Sequence, residues 1–335
     1  MMKPKKIALI GGAGFIGHNL AISLKNRGHE VVIIDSLAVN NILSFTDSEV
    51  TNRKLYSSIL NQRLDLIHDN DVEINIEDAR EYNSMCLLLG KYKPEVIIQL
   101  AAVSHANKSN KDPHTTFDHT LRTLENTLDI ARSLGSHVIY LSSSMVYGHF
   151  DSDTVDEDTT CNPLGIYDTL KYTGELIVKA YHRVFETPFT IIRPSALYGE
   201  RCVSRRVSQI FIENAVQGLN ISINGDGSDK LDFTYIEDFI QGVTLAVENE
   251  KARNETFNMT YGESRSIGEM AEILKGHFDG ININYTPKDR LTPDRGTLSV
   301  DKARDLLGYK PQNPIDIGYP KYIEWYKDFW TKFNS

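Results

Sequence analysis

Two hydrophobic rhythms alternate along the first part of the chain. Ile7 to Gly11 is a short apolar run ended by glycine. Phe15 to Arg27 repeats apolar positions at helical spacing (Ile16, Leu20, Ile22, Leu24), and Glu30 to Asp35 is a near-continuous β-branched run. The same reading predicts strands over Glu73–Asp78, Glu95–Ala102, His137–Ser143 and Phe189–Arg193, and helices over Thr115–Leu134 and Tyr167–Phe185. Apolar strands without alternation are buried on both faces, so helices between them imply a parallel sheet covered on both sides. The fold class expected is α/β: a Rossmann-type, doubly wound parallel sheet of about seven strands.

Two stretches break the rhythm. Asn40 to Asn70 reads as a polar, helical insertion after the second strand. Beyond Leu197 the pattern becomes irregular, with turn signals at Asn224-Gly225-Asp226-Gly227 and from Pro287 to Gly296. A smaller C-terminal α/β domain mixing helices and short strands is expected there. The segment Phe233 to Asn249 reads as returning to the large domain. The expected division is therefore 1–194 with 232–260 for the larger domain, and 195–231 with 261–335 for the smaller one. A cleft should lie between them.

Bulk properties narrow the function class. The chain has 335 residues and a net charge of -9, with 41% hydrophobic and 24% charged residues. That surplus of acid disfavours nucleic-acid binding without excluding a local pocket for one pyrophosphate. Cys86, Cys161 and Cys202 are odd in number, far apart and lack metal-ligand spacing, so a reducing compartment, the cytoplasm, and no metal site are expected. The basic start Met1–Lys6 before an apolar stretch mimics a secretory leader, but glycines interrupt that stretch. No uninterrupted apolar run of about 18 residues predicts a membrane span.

Those glycines have a chemical reading. Gly11-Gly12-Ala13-Gly14-Phe15-Ile16-Gly17 follows the first strand and opens the first helix, in GxxGxxG spacing. Gly11 suits a tight turn, Gly14 the close approach of a pyrophosphate, and Gly17 close helix–strand packing. The helix start offers free N–H groups and its positive dipole end to phosphates. Asp35 ends the second strand, where it accepts ribose hydroxyls and repels a 2′-phosphate, so NAD is favoured over NADP. A packing cluster with a surface aspartate is the bland competing reading; its placement between strand and helix argues against that.

Tyr167 and Lys171 lie four residues apart, on one helix face. A phenol of pKa ~10 is a poor base at neutral pH, and half-ionising it requires roughly 4 kcal/mol. The charge of Lys171 together with an oxidised nicotinamide ring is expected to supply this. Leu141-Ser142-Ser143-Ser144-Met145-Val146-Tyr147-Gly148 ends the preceding strand, where a serine hydroxyl can bond a reacting oxygen. Alone, a YxxxK match is as well explained by a half-buried tyrosine beside a solvated lysine; the strand-end serines shift the balance.

Taken with GGAGFIG, LAAVSHANKS (100–109), SSSMVYG, YDTLK, RPSALYG (193–199), INGDGSDKLDF (223–233) and DKARDLLGY (301–309), the chain resembles the extended short-chain dehydrogenase/reductases, in their nucleotide-sugar epimerase/dehydratase branch. The resemblance implies cofactor contacts from Gly11, Gly14, Phe15, Ile16, Gly17, Asp35, Asp78, Ala79, Leu100, Ala101 and Ala102, with Tyr167 and Lys171 on the nicotinamide side. It implies Tyr167 as base and Ser143 as its partner, four residues before Tyr147. The C-terminal domain would hold a nucleoside-diphosphate sugar. The helices Thr115–Leu134 and Tyr167–Phe185 would pair across a homodimer.

Departures from the family pattern bear on the reaction. Dehydratases place a glutamate where this chain has Met145, often preceded by an aspartate where it has Ser144, so dehydration is disfavoured. Ala196, Leu231 and Thr120 replace an asparagine, an arginine and an asparagine common in the family. Candidate substrate contacts are Ser104, His105, Ser144, Arg206, Lys230 and Arg295, with Arg205 as a further cation. The expected reaction is NAD-dependent oxidation at C4 of the sugar through a 4-keto intermediate. A 4-epimerase leads on family frequency; a 4-dehydrogenase, a 4-keto reductase and a non-catalytic dinucleotide sensor are the alternatives. Supply of sugar nucleotides for surface polysaccharides is the role that family use suggests.

Overall fold

The computed structural model describes residues 3–45, 52–103, 106–288 and 293–335. Seven parallel strands form its central sheet: β1 Lys6–Ile10, β2 Glu30–Asp35, β3 Glu73–Ile76, β4 Val96–Gln99, β5 His137–Leu141, β6 Phe189–Arg193 and β7 Glu255–Asn258. Their spatial order is β3-β2-β1-β4-β5-β6-β7. The order reverses at β1 and β4, where Ile7 pairs with both Val31 and Val96. Ligands of such sheets bind at that reversal, beyond the carboxyl ends of the strands.

Side chains alternate across the sheet and fill two layers. Ile7 and Leu9 face a core built with helix α1 (Phe15–Asn26), helix α2 (Arg53–Asp69) and the helix Ile236–Glu248. Ala8 and Ile10 face the opposite core, with the helices Tyr82–Tyr92, Thr123–Leu134 and Ile166–Phe185. The first core runs on without interruption into the C-terminal part, where Phe211, Tyr319 and Tyr322 are buried. Short two-stranded ribbons complete that part, including Lys230–Asp232 with Ser264–Ser266 and Ile221–Asn224 with Ile283–Thr286.

Several boundaries differ from expectation. The runs at 73–78, 95–102 and 137–143 are strand only to Ile76, Gln99 and Leu141; their last residues leave the ladder and line the sheet's carboxyl edge. The helix read as Thr115–Leu134 begins at Pro113, where the Asp112 carboxylate accepts the Thr115 N–H at 3.1 Å. It passes through a π-turn at Asp118–Arg122 before Thr123–Leu134. The insertion read as polar carries α2, whose Leu55, Tyr56, Ile59, Leu60 and Ile67 are buried. Its polar composition hid one apolar face, because helical burial depends on spacing and not on the mean. Strand β7, only four residues long, escaped notice.

Candidate active site

The glycine turn is built by steric necessity. Gly11 has φ +80°, and a Cβ there would lie 2.6 Å from the Ala101 backbone nitrogen. At Gly17 a Cβ would lie 2.3 Å from the Gly12 carbonyl oxygen. At Gly14 it would meet only the Gly11 oxygen, at 3.4 Å, so the space above is the cleft itself. That cleft is lined by Gly11, Gly14, Phe15, Ile16, Gly17, Asp35, Asp78, Ala79, Leu100, Ala101 and Ala102 together. Arg63, His119 and Thr123 line it too, and no motif pointed to them.

Two of the cleft's acids, Asp35 and Asp78, are held in place. Asp35 accepts the Ala13 N–H at 2.9 Å and the Leu37 N–H at 2.7 Å. Burial pushes its carboxyl up, while those two N–H groups and Arg63 pull against the shift. Each carboxylate oxygen keeps a lone pair for a ribose hydroxyl. Burial also works against ionised Asp78, but hydrogen bonds from Arg80 hold its carboxyl below the usual range. The glycine cradle, the free helix start and the fixed acceptor of Asp35 fit a dinucleotide.

Ser143, Tyr167 and Lys171 line an adjoining cavity, which shares Ile16, Leu100, Ala102, Leu197 and Arg206 with the cleft. All three side chains are nearly buried. Lys171 Nζ donates to the Leu141 carbonyl at 2.6 Å and lies 5.2 Å from the centre of the Tyr140 ring. Burial lowers its ammonium to about 8, against a raising influence of Glu175. Burial raises the Tyr167 phenol, opposed by Arg206, the Ser143 hydroxyl and Arg295. Its ammonium faces the Leu141 backbone carbonyl, and Arg206 and Arg295 add positive charge near the phenol.

Behind these residues lies a network that the sequence reading missed. Glu175 is fully buried and takes Arg193 Nε at 2.9 Å and Nη2 at 2.7 Å. It also accepts the Ser142 hydroxyl. Arg193 Nη1 donates to the Tyr147 hydroxyl at 2.8 Å, which donates to Asn258 Oδ1 at 2.7 Å. The signal for Glu175 was present: Tyr167, Lys171 and Glu175 recur every four residues on one helix face.

Of the candidate substrate contacts, Ser144, Arg206, Lys230 and Arg295 line the cavity, as does Arg205. Ser104 and His105 lie outside the described residues. Burial and neighbouring Arg206 lower Arg295 to about 10, which leaves it charged at neutral pH. Met145, Ala196 and Leu231 line the same cavity, so these three departures from the family pattern face the site. Thr120 is buried, and its hydroxyl has no partner. No cluster of metal-binding side chains occurs among the described residues, and no described helix is long and apolar enough to cross a membrane.

The chain is similar to several known proteins along nearly its whole length. The chain is 29% identical over 335 residues to a putative UDP-glucose 4-epimerase of Methanocaldococcus jannaschii, covering 96% of this chain and 98% of that protein. It is 28% identical to the UDP-glucose 4-epimerase of Mycolicibacterium smegmatis, covering 95% and 97%. The crystal structure of the Bacillus cereus UDP-glucuronic acid 4-epimerase, in complex with UDP-glucuronic acid and NAD, matches with a TM-score of 0.86 and 26% identity over 96% of this chain and 99% of that one. The NAD dependent epimerase/dehydratase family profile matches residues 7–260, and the chain belongs to that family of enzymes.

Proposed function

We propose that this enzyme is a 4-epimerase of a nucleoside-diphosphate sugar whose hexose carries a carboxylate. The observation behind the substrate class is the charge of the cavity around Tyr167. Arg205, Arg206, Lys230 and Arg295 line it, and Asp229, the one acid among its described lining residues, is paired with Lys288 at 2.6 Å. A diphosphate brings two negative charges, and a uronic acid brings a third. The UDP-glucuronic acid complex of the Bacillus cereus enzyme is a precedent for such a ligand on this fold.

In this reading Tyr167 takes the proton of the 4-hydroxyl, and Arg206 and Arg295 offset the phenolate charge. Ser143 donates a hydrogen bond to O4. Bound NAD supplies the hydride acceptor for the first half-reaction and the donor for the second. The sugar passes through a 4-keto state and turns, and Tyr167 returns the proton to O4. Met145 faces the cavity and has no group to remove a proton, which disfavours elimination of water. Glu175 and Arg193 hold the serine strand end against the Tyr167 helix.

The domain division at 194, 231 and 260 belongs to the same proposal, since Ile221–Asn224 and Lys230–Asp232 pair only outside the central sheet while β7 pairs with β6. So does a homodimer through the helices Thr123–Leu134 and Ile166–Phe185, where Leu176, Val184 and Phe185 are exposed. Work in the cytoplasm on sugar nucleotides for surface polysaccharides completes it; three unpaired cysteines suit a reducing compartment.

The test is a panel of UDP-glucuronate, UDP-glucose, UDP-N-acetylglucosamine and their GDP and dTDP counterparts, with NADH absorbance and products followed together. Inversion at C4 of the uronate without net NADH is expected. Release of carbon dioxide would make the enzyme a decarboxylase, and accumulation of NADH with a ketone would make it a dehydrogenase. No response from any sugar would leave the dinucleotide-sensor reading in first place.

A further inference from the structure

Arg63 stands where three parts of the molecule meet. It projects from the buried face of α2 and is 1% exposed. Its Nε donates to the Arg201 carbonyl oxygen at 2.9 Å, and its Nη2 donates to the same oxygen. Its Nη1 is buried and has no hydrogen-bond partner. Among the described residues no carboxylate forms an ion pair with it; Asp35 acts on it only through space. Burial lowers its guanidinium to about 10, so it is charged at neutral pH.

A buried charge without a counter-charge is strongly unfavourable, and natural sites supply the missing partner. Arg63 lines the dinucleotide cleft together with Gly11, Gly14 and Asp35. Cys202 and Tyr322 also act on it through space, and neither bonds its Nη1. Burial and Arg63 itself push the imidazole of His18 well below its usual range, and Arg201 brings a second positive charge. His18 bonds the Gly14 carbonyl at 2.9 Å, which places this cationic cluster directly under the glycine turn.

We propose that Arg63 is a cofactor-binding residue whose unpartnered, enclosed Nη1 turns toward the cleft to take the pyrophosphate of the dinucleotide while its other edge holds the Arg201 carbonyl. The glycine turn then receives the pyrophosphate from the helix start and Arg63 receives it from the α2 side. One guanidinium thereby ties cofactor occupancy to the segment 199–206, whose Arg206 lines both the cleft and the substrate cavity. The inference depends on dinucleotide binding and not on which sugar is turned over.

The test uses the full chain freed of cofactor, with NAD, ADP and adenosine titrated by calorimetry. In Arg63→Met, NAD and ADP should bind roughly ten- to hundred-fold more weakly, the loss of one charge-assisted hydrogen bond, and adenosine should be unchanged. Arg63→Lys keeps the charge without the fork and should recover part of the ADP affinity. Unchanged ADP binding, or an equal loss for adenosine, would overturn the proposal and leave Arg63 as a structural strut. Should Arg63→Met not fold, the structure of the wild-type NAD complex decides. A phosphate oxygen within about 3.2 Å of Nη1 upholds the assignment, and a water or side chain in that place refutes it.

Discussion

Glu175 accepts the hydroxyl of Ser142 at 2.5 Å, so the neighbour of Ser143 is anchored to the helix that carries Tyr167 and Lys171. The same carboxylate holds Arg193, and the two side chains are 0% and 3% exposed. Removing one partner of a buried pair strands the other. Glu175→Gln should therefore lose about 3–5 kcal/mol in urea denaturation, and Glu175→Gln with Arg193→Met should recover part of it. Equal losses in the single and double variants would show that the pair is not the source.

Tyr167→Phe removes the only atom able to take the 4-hydroxyl proton in the proposed mechanism. Turnover should fall by at least about 10²-fold, the scale of general base catalysis, with NAD affinity within a few-fold of wild type. Full activity in this variant would exclude Tyr167 as the base.

Lys171 predicts a pH dependence of stability. Its folded value of about 8 lies below the ~10.4 of an unfolded lysine. Between those values the unfolded chain binds the extra proton, so this site's contribution to stability rises with pH; below about 8 its penalty is fully present. Lys171→Met should thus gain on wild type at pH 7 by up to roughly 3 kcal/mol, with the gain shrinking toward pH 10. Parallel denaturation curves at pH 7, 8.5 and 10 on cofactor-free protein measure it.

Gly14 and Gly17 should separate binding from folding. A Cβ at Gly17 collides with the Gly12 backbone, whereas one at Gly14 enters the cleft at ordinary contact distance. Gly17→Ala should yield little folded protein. Gly14→Ala should keep its melting temperature and lose NAD affinity by about tenfold or more, a cost of ~1.4 kcal/mol. The reverse ranking would mean that the turn has been assigned the wrong way round.

Val184 is 69% exposed on the helix Ile166–Phe185, beside half-exposed Phe185. If that face pairs with a second copy, Val184→Glu should convert a dimer to a monomer in sedimentation analysis, because a charge there would be buried without a partner. A wild-type monomer at micromolar concentration would remove the dimer from the proposal.

Much of this was legible in the chain because the relevant signals are local. The GxxGxxG spacing, the Asp35 strand end and the four-residue step from Tyr167 to Lys171 each constrain a turn, a ladder end or a helix face within a few residues. β-branched runs between helices determined the parallel sheet for the same reason. Only the tertiary structure decided where charges point. Lys171 meets the Leu141 carbonyl, Arg206 and Arg295 act on Tyr167 through their charge, and Arg63 is brought from a polar-looking insertion to the floor of the cofactor cleft. Those contacts join residues far apart in sequence, and burial sets the energy of a charge through everything packed around it. Spacing along one chain specifies which faces exist; which faces meet, and how far water is excluded between them, is decided when the elements pack into one core.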